Sequence, residues 1–471
     1  MMPASSRLHK PLTPTGTRTE RKSAGKALRE SVPISAHGKW APAADRADPI
    51  SLLVTGNEGR LEHLLPIKYG KMLKSPFTFL RGSAGLMAAD LAEVPSTRIP
   101  TQLCGDAHID NFGVFASPER QLLFDVNDFD ETLPGPWEWD LKRLAASAVV
   151  AGRELGFSDR DCRDAIVGAV EMYARVMRGL ARMTTLEVWY FRVDIEMLRR
   201  LFSDSTRKAS SGFRRMMSET RKAGHTRSLA SLTTLEGGSR RFRVSPPFLL
   251  PLSALAPGAS EEEVEATVAT AWRSYATSLD VDKRTLLERF RVTDAAMLVG
   301  GVGSIGTRCA VALLEGGAED DAIILQQKAS RQSVLEPYLG RSRFKTSAER
   351  VVHGQRLMQA ASDIFLGWHR GAATGDTFYW RQLSDTKGEF DTATLGRGGF
   401  ALYVAVCAGC LARAHGRAGD PAFTAGYVGR GAALAEAIAD FALSYADQTE
   451  SDYQALVQAV ASGKIAAETG V

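Results

Sequence analysis

The sequence has few cysteines, and they do not form an obvious framework. Cys104, Cys162, Cys309, Cys407 and Cys410 are odd in number and scattered, which argues against disulfide bonds. Cys407 and Cys410 have the CxxC spacing of some zinc sites, but they stand in an apolar helical stretch without a second ligand pair. We interpret them as core residues.

Long apolar runs are also missing. The longest, FALYVAVCAGCLA at 400–412, is far shorter than the roughly 20 residues of a membrane-spanning helix. The first 49 residues lack the apolar centre of a secretory signal. We therefore expect a cytoplasmic protein with no membrane partner.

The net charge is only +4 over 471 residues. Nine Lys/Arg against four Asp/Glu fall within residues 1–49, so the remainder is close to neutral and nothing in it favours nucleic-acid binding. Residues 1–49 are also rich in Pro, Ser and Thr, with few large apolar groups. We expect them to form a disordered basic tail.

The remaining length suggests two or three packed units. Amphipathic helical patterns dominate 50–285, short strand patterns dominate 286–395, and helices return over 396–471, which we expect to pack back on the first unit. The overall fold class is therefore α+β. A basic stretch at 204–246 is interpreted as a solvated helix face and loop, with a lid over an anionic substrate as the alternative.

Polar chemistry is concentrated between two apolar strand patterns, in LCGDAHIDNFGVF (103–115) and LLFDVNDFD (122–130). The two segments predict a hairpin that presents Asp106, Asn111, Asp128 and Asp130 at neighbouring ends. Asp and Asn are common in turns, but a turn needs only one or two of them. Four at this spacing favour a functional site.

These residue types suit phosphoryl transfer, in which catalysis is mainly positioning and charge neutralisation. Asp106 would orient or deprotonate the attacking hydroxyl group, with His108 bracing the loop by hydrogen bonding. Asn111 and Asp128 would ligate Mg²⁺, which prefers oxygen ligands, and Asp130 would be a further acid near the metal. Arg81 is an additional candidate for a phosphate contact, with a surface ion pair as the alternative.

The GDAHIDN motif, with DFD beginning 22 residues after Asp106, resembles the catalytic loop and metal-binding motif of aminoglycoside phosphotransferases and choline kinases. The resemblance implies a two-lobed protein-kinase-like fold, ATP as the cofactor, and a small-molecule acceptor. In the later WEWDLKRLA, Asp140 matches the aspartate that braces the catalytic loop in that family.

A glycine-rich turn follows much later, in VGGVGSIGTRCAVALL (299–314). Gly301, Gly303 and Gly306 have the G-x-G-x-x-G spacing and, together with Ser304, are predicted to contact the nucleotide. A dinucleotide-binding fold would continue into a helix, whereas this turn is followed by a strand pattern, which favours the kinase arrangement.

Lys328 ends the third strand pattern, where a kinase lysine contacts the α- and β-phosphates. Glu336 and Glu349 are both candidates for its acidic partner. The later strand TFYWRQL resembles the one that leads to the adenine-binding hinge, with backbone groups of Gln382 and Leu383 as candidates for the base.

The two lobes therefore occur in reversed order, which a circular permutation explains without changing spatial packing. A second segment, ARAHGRAGD, superficially resembles a catalytic loop with His415 and Asp420, but Ala425 stands where an asparagine is needed. We reject it as the source of the base.

Over roughly residues 50–450 the chain resembles the bacterial family called domain of unknown function 2252, in stretches such as LLPIKYGKM, CGDAHIDNFG and GQRLMQAASDIFLGW. This family is generally grouped with kinase-like proteins, which implies no particular substrate. We expect an ATP- and Mg²⁺-dependent phosphotransferase. The alternatives are a kinase-fold nucleotidyltransferase and a nucleotide-binding regulatory protein without turnover. The sequence does not indicate an oligomeric state.

Overall fold

The computed structural model has the mixed α and β composition expected from the sequence. The structure describes residues 16–222, 225–237, 239–255, 258, 260–299, 303, 305–318, 321–371, 375–383, 387–388 and 390–470. Short helices precede the first motif: α1 (Arg18–Ala27), α2 (Pro49–Thr55), α3 (Leu65–Met72), α4 (Pro76–Arg81) and α5 (Ala84–Ala92).

Four short strands surround the motif: β1 (Pro100–Leu103), β2 (Phe112–Ala116), β3 (Leu122–Val126) and β4 (Leu133–Pro136). β2 and β3 form the antiparallel hairpin predicted from the sequence, with Phe112 opposite Val126. β1 pairs with β4. Because β2 begins where β3 ends, the loops at 104–111 and 127–132 lie side by side.

A helical region follows: α6 (Trp137–Glu154), α7 (Asp159–Leu180), α8 (Thr185–Tyr190), α9 (Ile195–Ser203), α10 (Arg207–Lys222), α11 (His225–Leu232), the hairpin of β5 (Thr233–Glu236) and β6 (Ser239–Phe242), β7 (Leu249–Pro251), α12 (Glu261–Ala276) and α13 (Val281–Leu287). α6 is buried along nearly its whole length. In the basic stretch, α10 buries Ala209, Phe213 and Met216 and packs against the later helix Thr392–Ala418, so this part is not a free lid.

An antiparallel six-stranded sheet forms most of the second region. Its further strands are β8 (Arg291–Leu298), β9 (Cys309–Glu315), β10 (Ala322–Ser330), β11 (Gly367–Arg370) and β12 (Thr377–Gln382), in the spatial order β11-β12-β10-β9-β8-β7. Between β10 and β11 the chain forms α14 (Glu336–Leu339) and α15 (Ser347–Met358), and α15 packs against β11 and β12.

The chain closes with β13 (Lys387–Gly388), α16 (Thr392–Ala418), α17 (Pro421–Val428) and α18 (Ala432–Ala461). β13 pairs with β2, α16 packs against α7, and α18 packs against α6 and α7. Among the described helices, α16 alone has the length and apolar composition of a membrane span, and 72% of its most apolar window is buried, as in a core helix.

The expectation of a disordered tail over 1–49 is wrong for residues 16–49, while residues 1–15 lie outside the described part. α1 begins with a capping box between Thr17 and Glu20 and packs against α17. Gly25 and Gly426 allow this contact, since a Cβ added to either would lie 2.0–2.1 Å from a backbone oxygen of the other helix. Close backbone packing thus replaces the large apolar side chains that the segment lacks.

Candidate functional site

The loop that carries Asp106 is fixed by Asp140, the first-turn acid of α6. The carboxylate of Asp140 accepts hydrogen bonds from the backbone N–H groups of Cys104 (2.8 Å) and Gly105 (3.0 Å). Its Oδ2 also lies 3.2 Å from His415 Nε2 of α16, and His415 Nδ1 lies 2.9 Å from the hydroxyl of Tyr173. The contact predicted between Asp140 and the loop of Asp106 is therefore present. His415, which belongs to the segment rejected as a catalytic loop, also contacts Asp140.

Gly105 brings this loop directly against the loop that carries the DFD motif. It has a φ of +88°, which favours glycine. A Cβ at this position would lie 2.3 Å from the carbonyl oxygen of Glu131, so no other residue fits without movement of one loop. Asn127 N–H also donates to the carbonyl oxygen of Asn111 (2.9 Å), which ties the two loops together a second time.

Asp106 is paired with an arginine that the sequence analysis did not select. Its Oδ1 accepts a hydrogen bond from Arg143 Nε at 2.9 Å, and the other end of the same guanidinium donates to the carbonyl oxygen of Leu80. Burial raises the pKa of the Asp106 carboxyl, and Arg143 only partly offsets this effect, while Asp128 raises it further. Arg143 stands one helical turn after Asp140, and that spacing is the signal that could have identified it.

His108 does not form a hydrogen bond with Asp106, because its Nε2 lies 3.9 Å from Asp106 Oδ2. Burial, together with the nearby Arg81 and Arg143, holds the pKa of His108 well below its usual range. His108 is therefore a neutral, buried ring that packs edge-on against Phe77. Arg81 forms an ion pair with Asp110 at 3.0 Å. An ion pair was the alternative to a phosphate contact for this arginine.

Asn111 and Asp128 lie on the two joined loops, and each has one side-chain oxygen without a donor among the described residues. Asn111 Nδ2 donates to the carbonyl oxygen of Asp106 (2.8 Å), which leaves its Oδ1 with no donor among the described residues. Asp128 Oδ1 accepts a hydrogen bond from the N–H of Asp130 (3.0 Å). Asp128 Oδ2 has no hydrogen-bond donor among the described residues. Among the residues that the structure describes, no group of three or more His, Cys, Asp or Glu could hold a metal by itself. An Asn–Asp pair with the remaining ligands from nucleotide and water is compatible with that finding.

Asp130 is occupied differently from the prediction. Its carboxylate pairs with the ammonium of Lys328 and also accepts a hydrogen bond from the Tyr379 hydroxyl (2.8 Å). Burial raises the pKa of Asp130, but Lys328, Tyr379 and Arg381 together outweigh burial and the net shift is downward. Burial likewise lowers the pKa of Lys328, but Asp130, Tyr379 and Asp128 together outweigh burial and the net shift is upward. Asp130 is thus an ionic partner of the lysine rather than a free metal ligand.

Neither glutamate proposed as the partner of Lys328 contacts it. Glu336 lies 3.7 Å from the guanidinium of Arg350, and the Glu349 carboxylate accepts the backbone N–H of Lys345. Both glutamates belong to the segment after β10, whereas Lys328 near the end of β10 faces the DFD loop.

Two further arginines missed by sequence reasoning hold the DFD loop against the sheet. Arg350 of α15 is fully buried and donates to the carbonyl oxygens of Asp130 (2.8 Å) and Thr132 (2.6 Å). Arg381 of β12 donates to Gln326 Oε1 (3.0 Å) and interacts electrostatically with the DFD acids. No local sequence pattern marks either residue, because both act across distant elements.

The glycine-rich turn is described only in part, since Gly301 and Ser304 lie outside the described residues. Gly306 has a φ of +83°, and its carbonyl oxygen accepts the N–H of Leu61 at 2.7 Å. A Cβ at Gly303 would lie 3.8 Å from the carbonyl oxygen of Arg81, which places this turn close to the end of α4. The turn therefore reaches towards the region that carries Asp110 and Asp106.

The backbone N–H groups of the two predicted hinge residues already donate hydrogen bonds within the protein. The N–H of Gln382 donates to the Asp363 carboxylate, and the N–H of Leu383 donates to the carbonyl oxygen of Ile324 at 2.9 Å. Both hydrogen bonds belong to the sheet and the loop beside it. Both N–H groups are therefore used within the protein, and a contact between this backbone and a base stays a prediction.

Comparison with known proteins supports the predicted family. A family model described as an uncharacterized protein conserved in bacteria, DUF2252, matches residues 60–459. No curated protein matches the chain, and no solved structure does. Because the match covers most of the sequence, the chain belongs to the DUF2252 family.

Proposed function

We propose that this protein is a kinase-like phosphotransferase that uses ATP and Mg²⁺ to phosphorylate a hydroxyl group of a small molecule. The observation that carries the proposal is the contact between Lys328 and Asp130. It joins a lysine of the six-stranded sheet to the DFD loop, which lies almost two hundred residues earlier in the sequence. The DFD loop in turn packs against the loop of Asp106 and Asn111.

The order of elements in the second region supports a nucleotide lobe. Three neighbouring antiparallel strands follow one another along the chain: β8, β9 and β10, with the glycine-rich turn between β8 and β9. Lys328 lies on the third of these strands, β10. A helix, α15, then precedes β11 and β12, and β12 pairs with β10. A glycine-rich turn over the phosphates and a lysine on the third strand are parts of kinase nucleotide lobes. In this proposal the lobe follows the catalytic loop in the chain, as in a circular permutation.

One departure from kinases concerns the partner of the lysine. Protein kinases pair it with a glutamate of the following helix. Here Asp130 pairs with Lys328, and α15 supplies Arg350 to the backbone of the DFD loop. In the proposed enzyme, Asp130 takes over the glutamate's role of orienting the lysine towards the phosphates.

Each candidate site residue would have a separate role in the proposed reaction. Asp106 Oδ1 is held by Arg143, so Oδ2 remains to accept the proton of the acceptor hydroxyl. A raised pKa makes this carboxylate a stronger base at neutral pH. Asn111 Oδ1 and Asp128 would hold Mg²⁺, which neutralises charge on the transferred phosphoryl group. Lys328 would bind the phosphates.

The proposal is tested by incubating the purified protein with ATP, Mg²⁺ and a small-molecule cell extract, followed by mass spectrometry. We expect a metabolite that gains one phosphate group with wild type and not with Asp106→Asn. Asp164→Asn, an exposed change on α7, is the matched control and should behave as wild type. A metabolite that gains AMP would instead favour nucleotidyl transfer. Wild-type protein that binds ATP without any product would favour a regulatory role.

A further inference from the structure

A cluster of cations lies beside the glycine-rich turn, outside the groups assigned to the proposed reaction. Arg60, Lys68 and Arg331 interact electrostatically with one another, and each also interacts with Glu131. Burial raises the pKa of Glu131, and Arg350 opposes this rise. The three cations thus share Glu131, while Asp130 also interacts with Arg60 and Glu58 with Arg331.

Lys68 is the buried member of this cluster, with 3% of its surface exposed. Its ammonium donates to Asn57 Oδ1, and no other acceptor is found for it among the described residues. An ammonium has three donors, so two are left without an acceptor in the described part of the chain. Burial, Arg60 and Arg331 together hold the pKa of Lys68 well below its usual range. A buried amine with spare donors is costly unless a ligand satisfies it.

Arg60 and Arg331 connect the cluster to the nucleotide lobe. The guanidinium of Arg60 donates to the carbonyl oxygens of Gly303 (2.9 Å) and Ile305 (2.6 Å), and its Nε is buried without an acceptor among the described residues. Arg331 follows β10 directly, three residues after Lys328, and its guanidinium donates to the carbonyl oxygens of Gly56 and Glu58. Backbone carbonyls carry no full charge, so these contacts do not neutralise the cations.

We propose that Arg60, Lys68 and Arg331 form a binding site for a phosphate group. Phosphate is the matching chemistry because it is compact, carries more than one negative charge, and accepts several hydrogen bonds at once. The phosphate belongs either to the terminal group of a nucleotide or to a separate phosphorylated small molecule. Phosphate binding does not depend on turnover, so the site is testable whether or not the proposed function is correct.

The test uses the full chain and inorganic phosphate as the probe. Thermal unfolding and titration calorimetry are carried out at constant ionic strength on wild type, Lys68→Met and Lys74→Met. Binding raises the unfolding temperature of the form that binds. We expect such a rise for wild type and for Lys74→Met, whose lysine is exposed at the end of α3. For Lys68→Met the affinity should fall by at least about tenfold.

Lys68→Met should fold, because a neutral side chain of similar length replaces a buried charge that like charges surround. Arg331→Gln, at a half-buried position, provides a second variant with the same expected loss. A wild-type protein that shows no phosphate-dependent rise would overturn the proposal. An equal rise in wild type, Lys68→Met and Arg331→Gln would overturn it too, since it would reflect general salt stabilisation.

A second pair of measurements identifies the source of the phosphate. If it is the terminal phosphate of a nucleotide, Lys68→Met weakens binding of ATP with Mg²⁺ but not of ADP with Mg²⁺. If it belongs to a separate molecule, Lys68→Met weakens neither nucleotide, and inorganic phosphate still stabilises wild type in saturating ADP. Both results support the site.

Discussion

The ammonium of Lys328 pairs with the carboxylate of Asp130, across 198 residues of sequence. The lysine is nearly fully buried, and 29% of the Asp130 side chain is exposed. Tyr379 donates to the other oxygen of the same carboxylate. This pair joins the six-stranded sheet to the hairpin region, and it fixes the position of the lysine relative to Asp128.

The pair should be energetically coupled. We expect Lys328→Met to lower the free energy of unfolding by about 1–3 kcal/mol, because it leaves Asp130 without its cation. The double variant with Asp130→Asn should lose less than the sum of the two single variants. Urea unfolding of all four proteins measures the coupling. Strict additivity would show that the two groups do not interact in solution.

The contact at Gly105 can be separated from its backbone conformation by a matched glycine. Gly105 and Gly156 have similar positive φ values, but a Cβ at Gly156 would meet nothing within 4 Å. Gly156→Ala should therefore cost about 1 kcal/mol from backbone strain alone. Gly105→Ala should cost about 1–3 kcal/mol more, because its Cβ meets the backbone of Glu131. Equal losses in urea unfolding would contradict the close packing of the two loops.

Arg143 should control the pH at which Asp106 becomes a base. Burial raises the pKa of Asp106 and Arg143 opposes the rise, so removal of the arginine charge should raise it further. A base is active when deprotonated, and the acidic limb of the rate profile should therefore move to higher pH. We expect a move of roughly one unit or more for Arg143→Gln and a smaller one for Arg143→Lys. An unchanged acidic limb in Arg143→Gln would exclude Asp106 as the titrating base.

Asp140 should be required for the stability of the loop that carries Asp106. Asp140→Ala leaves two backbone N–H groups without acceptors, and each such loss costs about 1–3 kcal/mol. We expect urea unfolding to show a large loss for Asp140→Ala and a smaller one for Asp140→Asn, which keeps one acceptor oxygen. Asp164→Asn should stay within about 0.5 kcal/mol of wild type. A loss for Asp140→Ala no larger than for Asp164→Asn would show that the loop does not depend on this brace.

Local sequence pattern was enough to predict the β2–β3 hairpin and the strand that ends near Lys328, because alternating apolar residues and turn residues are local signals. The family was predicted from the resemblance of longer sequence stretches, and Asp140 was found through a motif. Arg143, Arg350 and Arg381 were not predicted. For Arg143 the one-turn spacing after Asp140 was a local signal. The roles of Arg350 and Arg381 depend on which loops the tertiary fold brings to them, and no local pattern indicates that.

Two errors have distinct physical causes. Residues 16–49 contain few large apolar groups and looked disordered, but α1 packs through the backbone contact that Gly25 permits. Composition underestimates this kind of packing. The partner of Lys328 was sought among nearby glutamates, whereas the structure supplies Asp130 from a loop distant in sequence.

Calorimetric titration with ATP tests the central claim most directly, using wild type, Lys328→Met and Asp128→Asn with and without Mg²⁺. We expect wild type to bind ATP with Mg²⁺, and Lys328→Met to weaken binding whether or not the metal is present. Asp128→Asn should remove most of the gain that Mg²⁺ gives. Wild-type affinity in both variants would contradict a single nucleotide site shared by the two regions.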